Sequence, residues 1–467
     1  MSRLQVCLCA VAMAMATQVN AGGVLCSMAR LETEREIEKF ASELRARGPE
    51  GLATALDYME KLTQQVSTIQ QNAGKIKHRE SDLVASRRKG EVATQRMQQV
   101  IDLVAGQRDA SISRLYWFTD LDEAKTAAEE SGKPILSLRL LGKLTDEYSC
   151  ANSRFFRTAL YSNKEISDFL RDNYILHWQS VRPVPRVTVD FGDGRKLERT
   201  VTGNSAHYVL DAAGRPLEAL PGLYTPKTFA AWLVRSKELA DGLSSLSSNE
   251  GRATLLMEHH AHRRNAIDQS LRSELATFAP QLLKGGTAAE EAKQVARVEQ
   301  PAKLTAREAG FRAIAKGRAE APLLAPFLPG NDVLMAQDNQ LWQRIAAARR
   351  DDSRLDEASV MLIRREHPTA SEAGSRSAAK QAQEDPLGGL LRSFEEAMAL
   401  DTVKNEYLLH RQIHEWFVNF DVPADVDPFN EKVYAELFLT PSSDPWLGLA
   451  PADAYTALEG GGLSSVE

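Results

Sequence analysis

Residues 132–154 read GKPILSLRLLGKLTDEYSCANSR. Gly132 and Pro134 stop a preceding helix, and residues 135–141 are an almost wholly apolar run of strand length. A polar link then leads to Cys150, and residues 155–173 return to helical periodicity. Working outward, residues 120–131 read as a short amphipathic helix opened by a capping Asp120. Residues 174–181 (YILHWQSV) read as a buried strand. Residues 187–191 and 197–202 flank Gly192-Asp193-Gly194 and predict a hairpin. Residues 207–210, a turn from Asp211 to Gly214, residues 217–219 and a helix over 226–237 follow. Helices and strands alternate, so the expected class is α/β, a central mixed sheet flanked by helices.

On these residues the segment resembles the exported branch of the thioredoxin-like family. The landmarks are Trp117, Ala124, Ala127 and Gly132-Lys133-Pro134 ahead of the first core strand, and Tyr161, Ile166 and Asn173-Tyr174-Ile175 behind the cysteine. Counting back from Tyr161 aligns the family's Cys-x-x-Cys with Cys150-Ala-Asn-Ser153. Val209-Leu210-Asp211 and Gly214 match the family's later strand and turn, which aligns its cis-proline with Ser205. The resemblance implies a thiol site of Cys150, Ser153, Ser205 and His207. A cysteine opening a helix meets the positive end of the helix dipole, which favours thiolate chemistry. Ser153 cannot resolve a mixed disulfide, so release would need an outside thiol or Cys26. Without the cis-proline, ordinary disulfide exchange is in doubt, and a metal at the thiolate is an alternative. Such an enzyme would be at most an atypical single-cysteine oxidoreductase.

Four basic or imidazole side chains surround this reading. His207 and His177 lie on core strands and could approach Cys150; for His177 a hydrogen-bonded core role is favoured. Arg154 and Arg157 could hold a thiolate or an anion, or could be ordinary surface arginines.

Four regions are expected. Residues 1–21 fit a signal peptide, with Arg3, an apolar stretch over 4–16 and Val19-Asn20-Ala21, which places the chain in a periplasm or outside the cell. Cys7 and Cys9 would leave with it, so Cys26 and Cys150 could pair in an oxidising compartment. Residues 30–110 are helical. Two interleaved seven-residue series, Leu52-Met59-Val66-Ala73 and Ala55-Leu62-Ile69-Ile76-Leu83-Met97-Val104, predict either a coiled coil or a hairpin, with a bend between Gly74 and Gly90. A coiled coil would serve self-association or a protein partner. Residues 112–241 form the thioredoxin-like domain, and residues 242–467 are mainly helical, with a linker over 369–386.

The chain of 467 residues is 43% hydrophobic and 26% charged, with net charge −6. That balance and the lack of a basic, aromatic-laced patch speak against nucleic acid. No apolar run beyond the N-terminus is long enough to span a bilayer. No phosphate loop, dinucleotide fingerprint or Ser-His-Asp pattern occurs. In the helical region Glu406, His410 and His414 recur every four residues on one helix face, a spacing that can chelate a metal ion. His259, His260 and His262 follow Glu258 and read as surface histidines, with opportunistic metal binding as the alternative. The three resulting readings are a thiol-active protein, a non-catalytic binding or assembly module, and a metal-binding protein.

Overall fold

The computed structural model describes Met28, Leu31 and residues 33–73, 80–200, 204–280, 339–368 and 386–447. The expected signal peptide, Cys7, Cys9, Cys26 and linker residues 369–385 lie outside the described residues. The chain divides into two compact units, Met1–Trp117 and Phe118–Glu467.

The first unit is helical. Helix α1 (Glu34–Arg45) opens with a reciprocal cap, Glu36 N donating to Thr33 Oγ1 at 3.3 Å and Thr33 N donating to Glu36 Oε2 at 3.0 Å. Helices α2 (Pro49–Ala73) and α3 (Glu80–Ala105) pack lengthwise on each other and α3 also receives α1. Leu52, Ala55 and Leu62 on α2 meet Ala93, Met97, Val100 and Val104 on α3 in one buried cluster, so these heptad positions are filled within the unit. Gly90 makes no bend. It sits inside α3, where a Cβ would approach Val66 to 3.1 Å, so its lack of a side chain lets the two helices close. A short helix α4 (Ala110–Ser113) leads to Trp117, whose Nε1 donates to Gln107 Oε1 at 2.7 Å.

The second unit is mixed α/β. Its five-stranded sheet runs β1-β3-β2-β6-β7, with β1 (Trp117–Phe118), β2 (Ile135–Leu141), β3 (Ile175–Arg182), β6 (Ser205–Leu210) and β7 (Pro216–Pro221). Strand β2 runs parallel to β3 and antiparallel to β6, and β6 runs antiparallel to β7. Strands β4 (Arg186–Asp190) and β5 (Lys196–Thr200) form a separate exposed hairpin around Gly192 and Gly194. Helix α5 (Leu121–Ser131) is capped by Asp120, which accepts from Asp122 N and Glu123 N, and it ends at Gly132 in the left-handed region.

The segment after Cys150 is less regular than one long helix. Helix α6 (Ala151–Phe155) passes into a π-helical turn, Phe156–Tyr161. Asn163 then accepts from Ile166 N at 3.1 Å and starts a separate helix, α7 (Lys164–Asn173). Asn163 competes with the continuing helix because its side chain caps a new one.

Helix α8 (Pro226–Ser244) starts on a proline at its first turn, and α9 (Asn249–Phe278) starts on Ser248, which accepts from Gly251 N. Helices α10 (Asn339–Ala348), α11 (Glu357–Glu366) and α12 (Pro386–Asn405) follow. α12 runs on through a π-helical turn, Glu406–His410, into α13 (Arg411–Val418). Helix α14 (Val426–Lys432) likewise continues into a π-helical turn, Val433–Leu437. Ile267, Leu271 and Leu275 of α9 share a buried cluster with Trp342, Ile345, Leu400 and Val403. Among the described residues no helix is long and apolar enough to cross a membrane.

The turn after β7 shows how tightly these helices meet the sheet. Gly222 has φ +93° and donates to Ser205 O at 2.8 Å, and a Cβ there would lie 2.4 Å from Asn405 Nδ2. Asn405 is itself fixed by donating to Leu223 O. Gly222→Ala is therefore expected to lower stability by about 1–3 kcal/mol from the left-handed backbone and the displaced amide, measured as a shift of the denaturation midpoint.

Candidate functional site

Strand register sorts the polar residues of the core onto two faces, because side chains alternate along a strand. Ser137 pairs with His177 and Tyr208, whereas Leu138 pairs with Trp178 and His207. His177 and His207 therefore lie on opposite faces. Leu140 pairs with Ser205 and Val209 with Glu218, which puts Ser205, His207 and Glu218 on the face that Leu138 shares.

Cys150 caps α6 beside the start of β6 and is fully buried, a free thiol. Its Sγ lies 3.0 Å from Ser205 Oγ and 3.4 Å from Ser153 Oγ, and Ser153 Oγ also donates to Cys150 O at 2.7 Å. Residues from the end of the described chain close over this point. Tyr434 Oη donates to Asn204 O at 2.9 Å, and Asn204 Nδ2 donates to Thr440 Oγ1 at 2.9 Å. Arg182 clamps the following loop, its guanidinium donating to Thr440 O and Asp444 O at 2.9 Å each. Tyr208 Oη donates to Asn430 Oδ1 at 3.1 Å on the opposite sheet face. The 430–444 segment is thus fastened on both sides of β6.

The remaining residues of the expected thiol site have other partners. His207 sits two residues beyond Ser205, with Nε2 2.7 Å from Tyr161 Oη and its ring between Phe156 and Phe229. Burial pushes it down to about 3, so it is neutral at physiological pH. His177 Nδ1 lies 2.9 Å from Ser137 Oγ, and burial, helped by Arg139, pushes it down to about 3 as well. Arg157 is no surface arginine. It is buried and donates to Leu144 O and Asp146 O at 3.0 and 2.8 Å, bracing the link before Cys150. Arg154 donates to Thr200 Oγ1 at 2.9 Å. There is no cis peptide bond among the described residues.

A second polar centre lies where β7 meets the helices. Glu218 is buried on this edge strand, flanked by Leu217 and Ala219, and four histidines face it. His410 Nε2 is 3.5 Å from Glu218 Oε1, and His259 Nε2, His414 Nδ1 and His260 Nδ1 lie 3.6, 3.9 and 4.0 Å from Oε2. The two inner nitrogens, His260 Nδ1 and His414 Nδ1, are 2.8 Å apart. Glu406 does not join this inner set. Its Oε2 lies 3.0 Å from His410 Nδ1, on the far side of that ring. Glu406 and His410 are four residues apart on one helical face, which brings the two side chains together. His260 is not a surface residue: it is fully buried, stacked on Phe417 with ring centroids 3.8 Å apart, and its Nε2 meets Leu217 O at 3.0 Å.

Charge is distributed unevenly here. Burial alone would raise the Glu218 carboxyl, but His414 and His260, with contacts from His259 and His410, hold it well below its ordinary value. Burial would lower His410, but the Glu406 carboxylate and then Glu218 outweigh it and hold it up at about 9. Burial pushes His260 down to about 4 and His414 well below its ordinary value, against the pull of Glu218. Without a bound ion the buried carboxylates of Glu218 and Glu406 are balanced first by the His410 imidazolium, while burial opposes charge on His260 and His414.

The sign of the pH dependence follows. A histidine raised from 6.5 to about 9 contributes stability that is complete below 6.5 and lost as pH climbs through about 9. In chelator, stability should fall over that range. Glu218→Ala should reduce the fall without abolishing it, because Glu406 still faces His410 Nδ1, and cost about 1–3 kcal/mol at neutral pH by taking the acceptor from buried imidazole groups, both read from denaturation midpoints against pH. No protein-family model, curated protein or solved structure matches this chain.

Proposed function

We propose that this chain is an exported protein built on a thioredoxin-like domain that acts as a binding and assembly module rather than as a disulfide-exchange enzyme. A strand leading through Cys150 into a helix, the parallel β2–β3 pair and the antiparallel β6–β7 pair support the thioredoxin-like reading. The apolar stretch near the N-terminus supports export.

One observation carries the functional part. The Cys150 thiol is wholly buried, and the chain's own Tyr434 and Thr440 occupy the loop at Asn204 that an incoming thiol or disulfide would have to approach. A nucleophile needs access to its electrophile, and a sealed thiol has none. Thiol chemistry is the second reading, favoured by the two hydroxyls next to the sulfur, and it requires the 430–444 segment to lift.

Alkylation kinetics separate the two. In the native full-length protein Cys150 should react with iodoacetamide on the order of a hundredfold more slowly than in denaturant, because labelling waits for local opening. Arg182→Ala removes the clamp on Thr440 and Asp444 and should raise the native rate by about tenfold. A native rate equal to that of the unfolded chain would overturn the module reading and restore the thiol-active one.

A further inference from the structure

We propose that Glu218, His260, His410 and His414 form a closed binding site for a divalent transition-metal ion of the zinc class, which fastens the edge of the sheet to the C-terminal helices. This inference is independent of the Cys150 reading. Three separate elements supply the donors: β7 gives Glu218, α9 gives His260, and the π-helical turn with α13 gives His410 and His414. Glu218, His260 and His414 each present one donor atom within 4.8 Å of the others, and all are buried.

The outer contacts aim the inner nitrogens. His260 Nε2 donates to Leu217 O, so its Nδ1 lone pair faces inward and accepts from His414 Nδ1, whose proton a bound metal would displace. Glu406 accepts from His410 Nδ1, which leaves His410 Nε2 facing Glu218. A carboxylate or carbonyl behind a ligating imidazole is the usual outer shell of a zinc site. His414 Nε2 is buried without a hydrogen-bond partner, and His410 Nε2 has only the long 3.5 Å approach to Glu218 Oε1. A metal in contact with His410 Nε2 would satisfy the latter.

The spacing is close to what an ion needs. Tetrahedral zinc with ligands at about 2.0–2.1 Å places its donor atoms about 3.3 Å apart. Here the two Nδ1 atoms stand 2.8 Å apart and lie 4.0 and 3.9 Å from Glu218 Oε2, with His410 Nε2 3.5 Å from Oε1. Side-chain movements of about 0.5–0.7 Å bring Glu218, His260 and His414 into range, with His410 turning inward from Glu218 Oε1 as the fourth donor. Three imidazoles and one carboxylate suit zinc or cobalt, whereas calcium and magnesium require mainly oxygen. Four protein donors with no solvent exposure describe a structural site, not one with an open position for substrate.

The test uses the full-length protein stripped with chelator and titrated with Zn2+ or Co2+ alone. One equivalent of either metal per chain is expected, with the visible absorption of four-coordinate Co2+ and a raised thermal midpoint on loading. His260→Ala and His414→Ala should each weaken uptake at least tenfold, and Glu406→Gln, which removes only the outer carboxylate, about 10–100-fold. His262→Ala, outside the cluster, should bind as wild type. Should the alanine variants fail to fold, X-ray absorption on the zinc-loaded wild type decides, with three nitrogen ligands and one oxygen expected. Wild-type protein that takes up no stoichiometric Zn2+ or Co2+, or a zinc spectrum dominated by oxygen or sulfur, overturns the site and leaves a proton-sharing cluster in its place.

Discussion

A carboxylate taken out of water must be compensated where it lies, and Glu218 is taken out of water on an edge strand. An edge normally meets solvent or another chain. Pro216 and Pro221 bracket this one, helix α8, the π-helical turn Glu406–His410 and α13 pack on it, and α9 reaches it through His260. The cover is not apolar packing alone. It delivers imidazoles to Glu218 and brings His260 flat against Phe417. If those helices lift, a buried charge loses its partners, so the C-terminal helices and the sheet are bound together by electrostatics as much as by contact area.

The same region secures the other end of β6. Tyr434, Asn430 and Thr440 take up the polar groups at Asn204 and Tyr208, and Arg182 takes up the loop carbonyls beyond. Each π-helical turn in the second unit stands beside one of the two centres: Phe156–Tyr161 follows Cys150, Glu406–His410 carries the imidazole nearest Glu218 Oε1, and Val433–Leu437 carries Tyr434. A π turn sacrifices regular helix geometry to re-aim a side chain. Its recurrence here, with Asn204, Ser205 and Glu218 all buried, shows local helix regularity yielding to the partners that buried polar groups demand.

The hairpin and every strand of the sheet but the two-residue β1 were legible because their signals are local. Apolar runs, Gly192 and Gly194 at a hairpin, Asp120 and Gly132 at helix ends each act within a few residues, and strand limits shift by only one or two positions. The sites were legible only in part, since they depend on pairing between distant segments. His410 and His414 could be found by spacing, but Glu406 lies behind His410 at Nδ1 and Glu218, from a distant strand, takes the inner place. Glu218 carried a readable signal: it is the single charge in the apolar run Leu217 to Leu220, between two prolines. His260 carried one too. It stands seven, eleven and fifteen residues before Ile267, Leu271 and Leu275, on the buried stripe of α9, although its neighbours Glu258, His259 and His262 make the local sequence look like surface.

The Cys150 site shows the opposite limit. Cys150, Ser153 and Ser205 do come together, as counting along the chain suggested, because helix start and strand start are fixed by neighbouring sequence. What covers them is more than two hundred residues away, and no spacing rule reaches that far. The cover decides what the thiol can meet. A site lacking a resolving thiol can still react with an outside thiol, but a thiol closed in by Tyr434, Thr440 and the Arg182 clamp meets one only after several hydrogen bonds break together. Access, more than nucleophilicity, is therefore the property through which the C-terminal segment governs Cys150.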